Sequence, residues 1–235
     1  MADPYMSFRV FLNNRLARDF SHLFIFMHPS SIPSVAASRL PVMEKFYTIQ
    51  GEGAHTGSAA YFIRLAGCDV GCVWCDVKDS WDGSKSPQES IEQLVSETKK
   101  SGAEMVVITG GEPTVYNLLE LTTALQKTGL RTHIETSGAH SISGLWHWVC
   151  LSPKKFKQPI GDAHEQADEL KIVVYNKSDF KWAETHADLV RKECLLYLQP
   201  EWDRTDAMLP LIIEYVKKNP RWKISLQTHK FMDIP

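Results

Sequence analysis

The sequence predicts an α/β fold built on a mostly parallel sheet, and two features predict it. From about residue 40 onward, short apolar runs alternate with amphipathic helical stretches. Polar or glycine-rich segments repeatedly follow the apolar runs. Alternation of this kind is the signature of strand–helix–strand crossovers, which are right-handed and place their strands in parallel. With 235 residues, 43% hydrophobic and 23% charged, the chain can bury one large core or two small ones.

The elements follow in order. Residues 61–65 (YFIRL) form a short apolar strand that runs straight into a cysteine-rich loop. Ser86-Pro87-Gln88-Glu89 reads as a capping box with Pro at the first helical position. Behind it Ile91, Leu94 and Val95 give one apolar face, and Gly102 stops the helix. Residues 104–109 (EMVVIT) are a buried-type strand. A second helix starts at residues 117–120, carries Leu118, Leu121 and Leu125 on one face, and stops at Gly129. Further strands are expected at 131–135, 148–151, 170–174, 194–198 and 222–226, with helices near 180–190 and 206–218.

In sheets of this kind ligands sit beyond the carboxyl ends of the strands. The cysteine loop and residues 110–113, 136–138, 152–154 and 199–202 all fall there. Together they mark one rim as a binding site.

Residues 1–38 read differently. Arg9, Arg15 and Arg18 stand against Asp3 and Asp19, an apolar patch covers 23–27, and a Pro/Ser/Ala stretch follows from Pro29. An export signal ending at Ser34-Val35-Ala36-Ala37 would have its apolar core interrupted by His22 and His28. The plainer expectation is a disordered extension or a start placed too far upstream, with the compact domain at 39–235.

A net charge of −2 gives no reason to expect binding to nucleic acid or to an anionic membrane. No apolar run approaches the roughly 18 residues a membrane span needs. Of five cysteines three are clustered, which suits a reducing compartment such as the cytoplasm better than a disulfide framework.

The clustered cysteines are Cys68, Cys72 and Cys75, in the stretch GCDVGCVWCDV. Thiolates are soft ligands for zinc, cuprous copper or iron–sulfur clusters. Structural zinc needs a fourth ligand, for which His55, Cys150, Cys194 or a distant histidine would have to serve. A [4Fe–4S] cluster held by three cysteines leaves one iron open to a substrate or cofactor, which makes three a chemical requirement. Zinc and inert thiols stay as alternatives on spacing alone. Cys150 and Cys194 lie in apolar strands and read as core. So do the tryptophans at 146, 148, 182 and 222.

The cysteine loop followed by Gly110-Gly111-Glu112-Pro113 after the next apolar strand resembles the radical S-adenosylmethionine (SAM) superfamily, with Trp74 as the aromatic beside the last cysteine. That resemblance implies a shortened, partial (β/α) barrel. It also implies that SAM chelates the open iron and is cleaved by one electron to an adenosyl radical. The segments FYTIQGEG (46–53), FIRLAG (62–67), IETSG (134–138), LSPK (151–154) and QTHK (227–230) further resemble the 7-carboxy-7-deazaguanine synthase family. This implies a lyase that turns 6-carboxy-5,6,7,8-tetrahydropterin into 7-carboxy-7-deazaguanine with loss of ammonia, toward queuosine. Hydrogen abstraction, ring contraction and regeneration of SAM belong to that implication. A glycyl-radical-enzyme activase would share the cysteine loop and the GGEP turn, and is the alternative.

Carried over residue by residue, the resemblance assigns the cluster to Cys68, Cys72 and Cys75. It assigns SAM to Trp74, Cys75, Asp76, Gly111, Ser152, Pro153, Lys154, Gln199, Pro200, Glu201 and Trp202. It assigns the pterin to Ile49, Gln50, Gly51, Arg64, Thr109 and the terminal carboxylate of Pro235. Arg64 suits a carboxylate bidentately, and Gln50 can read a pterin edge. Arg64 could instead be a salt-bridge partner, and His229 either a substrate contact or a surface residue. The family also implies Mg2+ on a Thr or Ser hydroxyl after the Cys-Asp pair. Here that residue is Val77, which offers no oxygen, so the ion would need substrate and water, Asp76 or Lys78 in its place, or would be dispensable. A homodimer and a flavodoxin-like reductant complete what the resemblance implies.

Overall fold

The computed structural model describes residues 38–235, so the expected extension lies outside the described residues except for Ser38. Among the described residues nine strands form one open sheet. In chain order they are β1 (Arg39–Ile49), β2 (Ala59–Leu65), β3 (Gln88–Ser90), β4 (Met105–Gly110), β5 (Arg131–Thr136), β6 (Trp148–Leu151), β7 (Glu169–Val174), β8 (Leu195–Pro200) and β9 (Trp222–Ile224). Their spatial order is β3-β1-β2-β4-β5-β6-β7-β8-β9. Every pair from β2–β4 to β8–β9 is parallel, while β1 runs antiparallel to both β2 and β3. The expected α/β class and partial barrel are borne out, with the sheet left open.

Helices α1 (Ile91–Lys100), α2 (Leu119–Lys127), α3 (Ala163–Gln166), α4 (Asp179–Ala187) and α5 (Thr205–Lys218) follow strands, and α6 (Thr228–Met232) closes the chain. The main core joins strand residues such as Ile63, Leu65, Val106, Ile108 and Ile134 to helix residues such as Leu94, Leu121 and Leu125. It continues through Ile172, Leu198 and Trp222 to Ala183 and Ile212. The apolar face read for the helix at 91–102 and the Leu118/Leu121/Leu125 stripe are therefore the packed faces. Gly102 and Gly129 take positive φ just past those helices, where a side chain would be strained.

The capping box is corrected. Pro87 O accepts Val42 N–H at 2.9 Å, which draws residues 88–90 onto β1 as an edge strand. The cap moves four residues on, where the Ser90 hydroxyl accepts Gln93 N–H at 3.2 Å. Strand pairing outcompetes the local signal because it also satisfies the edge of β1. The strand expected at 222–226 stops at Ile224, and the Ser225 hydroxyl turns inward to donate to Gln199 Oε1 at 2.7 Å.

Strand alternation places the site. With period two, one face of each strand packs under the helices and the other faces the hollow of the partial barrel. On β2, Ile63 and Leu65 are core while Phe62 and Arg64 face the hollow; on β7, Leu170 and Ile172 are core while Lys171 and Val173 face it. Cys150 and Cys194 are buried, as expected, and burial raises both thiol pKa values, that of Cys194 to about 12.

Candidate active site

One pocket opens at the carboxyl ends of the strands and runs into the hollow. Along its upper wall lie Cys68, Cys72, Trp74, Cys75, Asp76 and Val77, with Gly110, Gly111 and Glu112 beside them. The cysteine loop has no regular structure and is held by the chain around it. Gly67 N–H donates to Ser80 O at 2.6 Å and Cys68 N–H to Trp81 O at 3.1 Å. Outside, Asp69 accepts from Lys157 at 2.6 Å and meets His140 Nε2 at 3.0 Å, tying the loop to two further segments.

The glycine pair has a steric reason. A Cβ on Gly110 would overlap Leu65 O, and one on Gly111 would overlap Gly67 O and approach Cys68 Cβ. The turn is thus pressed against the cysteine loop, so backbone and thiols share one wall. Glu112, 1% exposed, fixes this arrangement. It accepts Thr114 N–H at 3.1 Å and Thr114 Oγ–H at 2.7 Å on one oxygen, and Ser137 N–H at 2.8 Å on the other.

The residues fit the iron–sulfur cluster. All three cysteines are free thiols on the same pocket wall, packed together with Val70 and Ala139. Burial raises the pKa of Cys68, and that of Cys72 to about 11, with Lys154 partly opposing the latter. Among the described residues no group of three or more His, Cys, Asp or Glu side chains converges as a single metal ion would require. The residues fit SAM as well. Ser152, Lys154, Gln199, Pro200, Glu201 and Trp202 line the same pocket. Glu201 is buried with its Oε2 unpartnered among the described residues, the condition of an acceptor awaiting a ligand donor. Lys154 folds back onto Ser152 O at 2.8 Å and sits 5.7 Å from the Trp74 ring centroid. Pro153 is the exception, since it is not among the pocket-lining residues.

Ile49, Gln50, Gly51, Arg64, Thr109 and Pro235 line the pocket too. Arg64 and Thr109 are register partners across β2 and β4, which puts them side by side. The salt-bridge reading of Arg64 is also realised, because its Nε donates to Glu44 at 2.5 Å. Gln50 is 7% exposed and gives its amide N–H to Glu135 at 2.9 Å.

Sequence reasoning missed the charged floor. Lys171 contacts Glu52 at 2.5 Å and Glu135 at 3.1 Å, and Gln227 donates to the other oxygen of Glu52 at 3.0 Å. Burial opposes the Glu52 charge most strongly, but the Lys171 charge and hydrogen bond together with hydrogen bonds from Gln227 and Gln199 outweigh it and hold the carboxyl down to about 2. Burial also works against Lys171, yet the surrounding acidic groups, Cys150 first and then Glu135, Glu52 and Glu169, hold its pKa well above the ordinary value. A lysine inside the run ELKIVV was the available signal: it interrupts an apolar strand at one position, on the face away from Leu170 and Ile172.

The C-terminal segment forms the remaining wall. Thr228 N–H and Oγ–H both donate to Gly51 O, at 2.9 and 3.0 Å. His229 lines the pocket and lies so close to Gly51 that a Cβ there would overlap its ring. Burial lowers the His229 pKa. Asp233, at φ 54°, ends α6 in the left-handed region, and Pro235 lines the pocket.

Fold and site together define a radical SAM protein, and residues 62–143 match the radical SAM superfamily model. Among curated relatives, 7-carboxy-7-deazaguanine synthase of Flavobacterium psychrophilum is 53% identical over 196 residues, spanning 83% of this chain and 93% of that protein. The enzyme of the same name from Synechocystis sp. is 43% identical over 194 residues, with 83% and 93% covered. The crystal structure of QueE from Escherichia coli superposes with a TM-score of 0.73 at 35% identity, covering 80% of this chain and 93% of that one. The chain belongs to the 7-carboxy-7-deazaguanine synthase family. Membership brings a [4Fe–4S] cluster and SAM, and sets aside the activase alternative.

Proposed function

We propose that this chain converts 6-carboxy-5,6,7,8-tetrahydropterin to 7-carboxy-7-deazaguanine with release of ammonia, a step toward queuosine. One observation supports the reading: the thiols of Cys68, Cys72 and Cys75 and the guanidinium of Arg64 line a single pocket together with the amide of Gln50 and the carboxylates of Glu52 and Glu135. When bound, the cluster and SAM supply a hydrogen-abstracting radical. Cys68, Cys72 and Cys75 would hold the cluster, with the Gly111 backbone and Lys154 toward SAM.

The chain's own work is positioning. Among the described residues neither Nη of Arg64 donates to a protein acceptor, so both are available to a substrate carboxylate. Gln50, Glu52 and Glu135 present acceptors to the N–H groups of an aminopyrimidinone edge. The α6 wall keeps water from the reacting carbon, which matters because a carbon radical is quenched by stray donors and by oxygen. The decisive experiment incubates the anaerobically reconstituted chain with SAM, a reductant and the carboxypterin. Formation of 7-carboxy-7-deazaguanine is expected; SAM cleavage with the carboxypterin left unchanged would overturn the reading.

The same reading extends to a flavodoxin-like reductant, a homodimer and a cytoplasmic location. Among the described residues no helix is long and apolar enough to cross a membrane. Residues 1–38 are proposed to be dispensable, so a chain starting at Arg39 is expected to keep full activity; a loss on truncation would give them a role. The Mg2+ implied by the resemblance does not fit the residues present. Val77 lines the pocket without an oxygen in its side chain, and Asp76 is already engaged by Lys230 at 3.2 Å.

A further inference from the structure

We infer that Ser225 is a positioning residue whose buried hydroxyl sets both the turn that carries Glu52 and the amide of Gln199, so that one group fixes the pterin side and the SAM side of the pocket; the inference rests on the function proposed above. Ser225 is 2% exposed and does not itself line the pocket, whereas Glu52 and Gln199 do. Its N–H donates to Leu198 O at 2.9 Å, which carries the β8–β9 pairing one step past Ile224 and sets Ser225 beside Gln199. Strand alternation turns both side chains toward the hollow, away from the core residue Leu198.

The direction of each bond follows from the backbone. The Gly53 N–H can only donate, and it reaches Ser225 Oγ at 2.9 Å. The hydroxyl is therefore the acceptor there, and its single proton goes to Gln199 Oε1 at 2.7 Å. With its oxygen engaged, the Gln199 amide presents its N–H groups to the Glu52 carboxylate, beside the bonds from Lys171 and Gln227. Beneath the turn, Gly53 takes φ 63° and lies so close to Glu169 that a Cβ would overlap that carboxylate, which also accepts Ala54 N–H at 3.0 Å. Two consecutive N–H groups of the turn thus end on buried side chains, Ser225 and Glu169, and they hold Glu52 where it meets the pocket. Alanine at 225 would leave the Gly53 N–H and the Gln199 oxygen both without this partner and would free the Gln199 amide to rotate.

The test uses the full chain with its cluster reconstituted anaerobically. Ser225→Ala is expected to raise the carboxypterin KM about tenfold while kcat changes less than about threefold, the pattern of lost substrate positioning. SAM binding, measured by equilibrium dialysis without carboxypterin, should weaken about threefold to tenfold, the range of one hydrogen bond. Gln199→Leu should weaken SAM by at least as much, and adding Ser225→Ala to it should cost nothing further, because both changes break the same bond. Circular dichroism and iron content should match the wild type in every variant. Wild-type binding of either ligand by Ser225→Ala overturns the inference, as does a fall in kcat with KM unchanged. Effects of Ser225→Ala and Gln199→Leu on SAM that simply multiply overturn it too, because they would make the serine a structural residue only. The SAM measurements need no turnover, so failure of the carboxypterin assignment and failure of this inference are separable.

Discussion

Cys72→Ala is expected to give a folded protein with no turnover at all. The thiol is 8% exposed and packs with Val70 and Ala139 on the pocket wall. Truncating it removes one sulfur from a partly buried site, a stability loss of about 1 kcal/mol. Its chemical effect is larger by orders of magnitude, because a cluster with two protein ligands is not retained and the hydrogen-abstracting step has no source. Cys150→Ala is the matched control. That thiol is fully buried, gives its S–H to Glu169 at 3.5 Å and does not line the pocket. It should cost a similar amount of stability while leaving iron, sulfide and the visible charge-transfer absorption in place. Iron and sulfide analysis after anaerobic reconstitution, with circular dichroism as the check on folding, separates the two variants. A Cys72→Ala protein that keeps both cluster and turnover would remove Cys72 from the ligand set.

The contrast between these cysteines also shows what the sequence can carry. Cys68, Cys72 and Cys75 are legible because all three thiols sit in one loop, and the Gly110-Gly111 turn because only glycine tolerates the approach of Leu65 O and Gly67 O. The parallel strands are legible because one face must feed a continuous core, which gives runs such as EMVVIT and ELKIVV. The capping box at Ser86 misled because local hydrogen bonding cannot report that β1 lies alongside. Contacts assembled by register were harder still. Lys171 meets Glu135 from a different strand and Glu52 from the loop after β1, while Lys230 reaches back to Asp76 from the last helix. Alternation says which face each residue takes, but only the sheet order says which neighbours share that face.

Lys171→Met should be the most destabilising single change in the pocket that leaves the cysteines intact. Lys171 is 4% exposed and holds two carboxylates, Glu52 and Glu135, within ion-pair distance. Methionine has similar length and bulk, so the loss is electrostatic: two carboxylates are left facing each other without their cation. Breaking a buried pair by removing one partner costs roughly 3–5 kcal/mol. The sign of the pH dependence follows from Glu52. Although burial alone would raise its pKa, Lys171, with hydrogen bonds from Gln227 and Gln199, holds the carboxyl down to about 2, below its unfolded value. In the wild type, stabilisation from this carboxylate is therefore present above the unfolded pKa of about 4.3 and is lost as pH falls toward 2. Without Lys171, burial acts on the Glu52 carboxyl with much less opposition and pushes its folded pKa up, so the variant gains from protonation and loses stability as pH rises. The gap between the two proteins should be widest near neutrality and should narrow as pH falls through about 4. Denaturation midpoints from about pH 8 to about pH 4 check it. Adding Glu52→Gln to Lys171→Met should recover part of the loss at neutral pH, since it removes one of the two unpaired charges. A gap independent of pH, or no recovery in the double variant, would mean that Lys171 acts through packing and that its charge is not what joins the pocket floor.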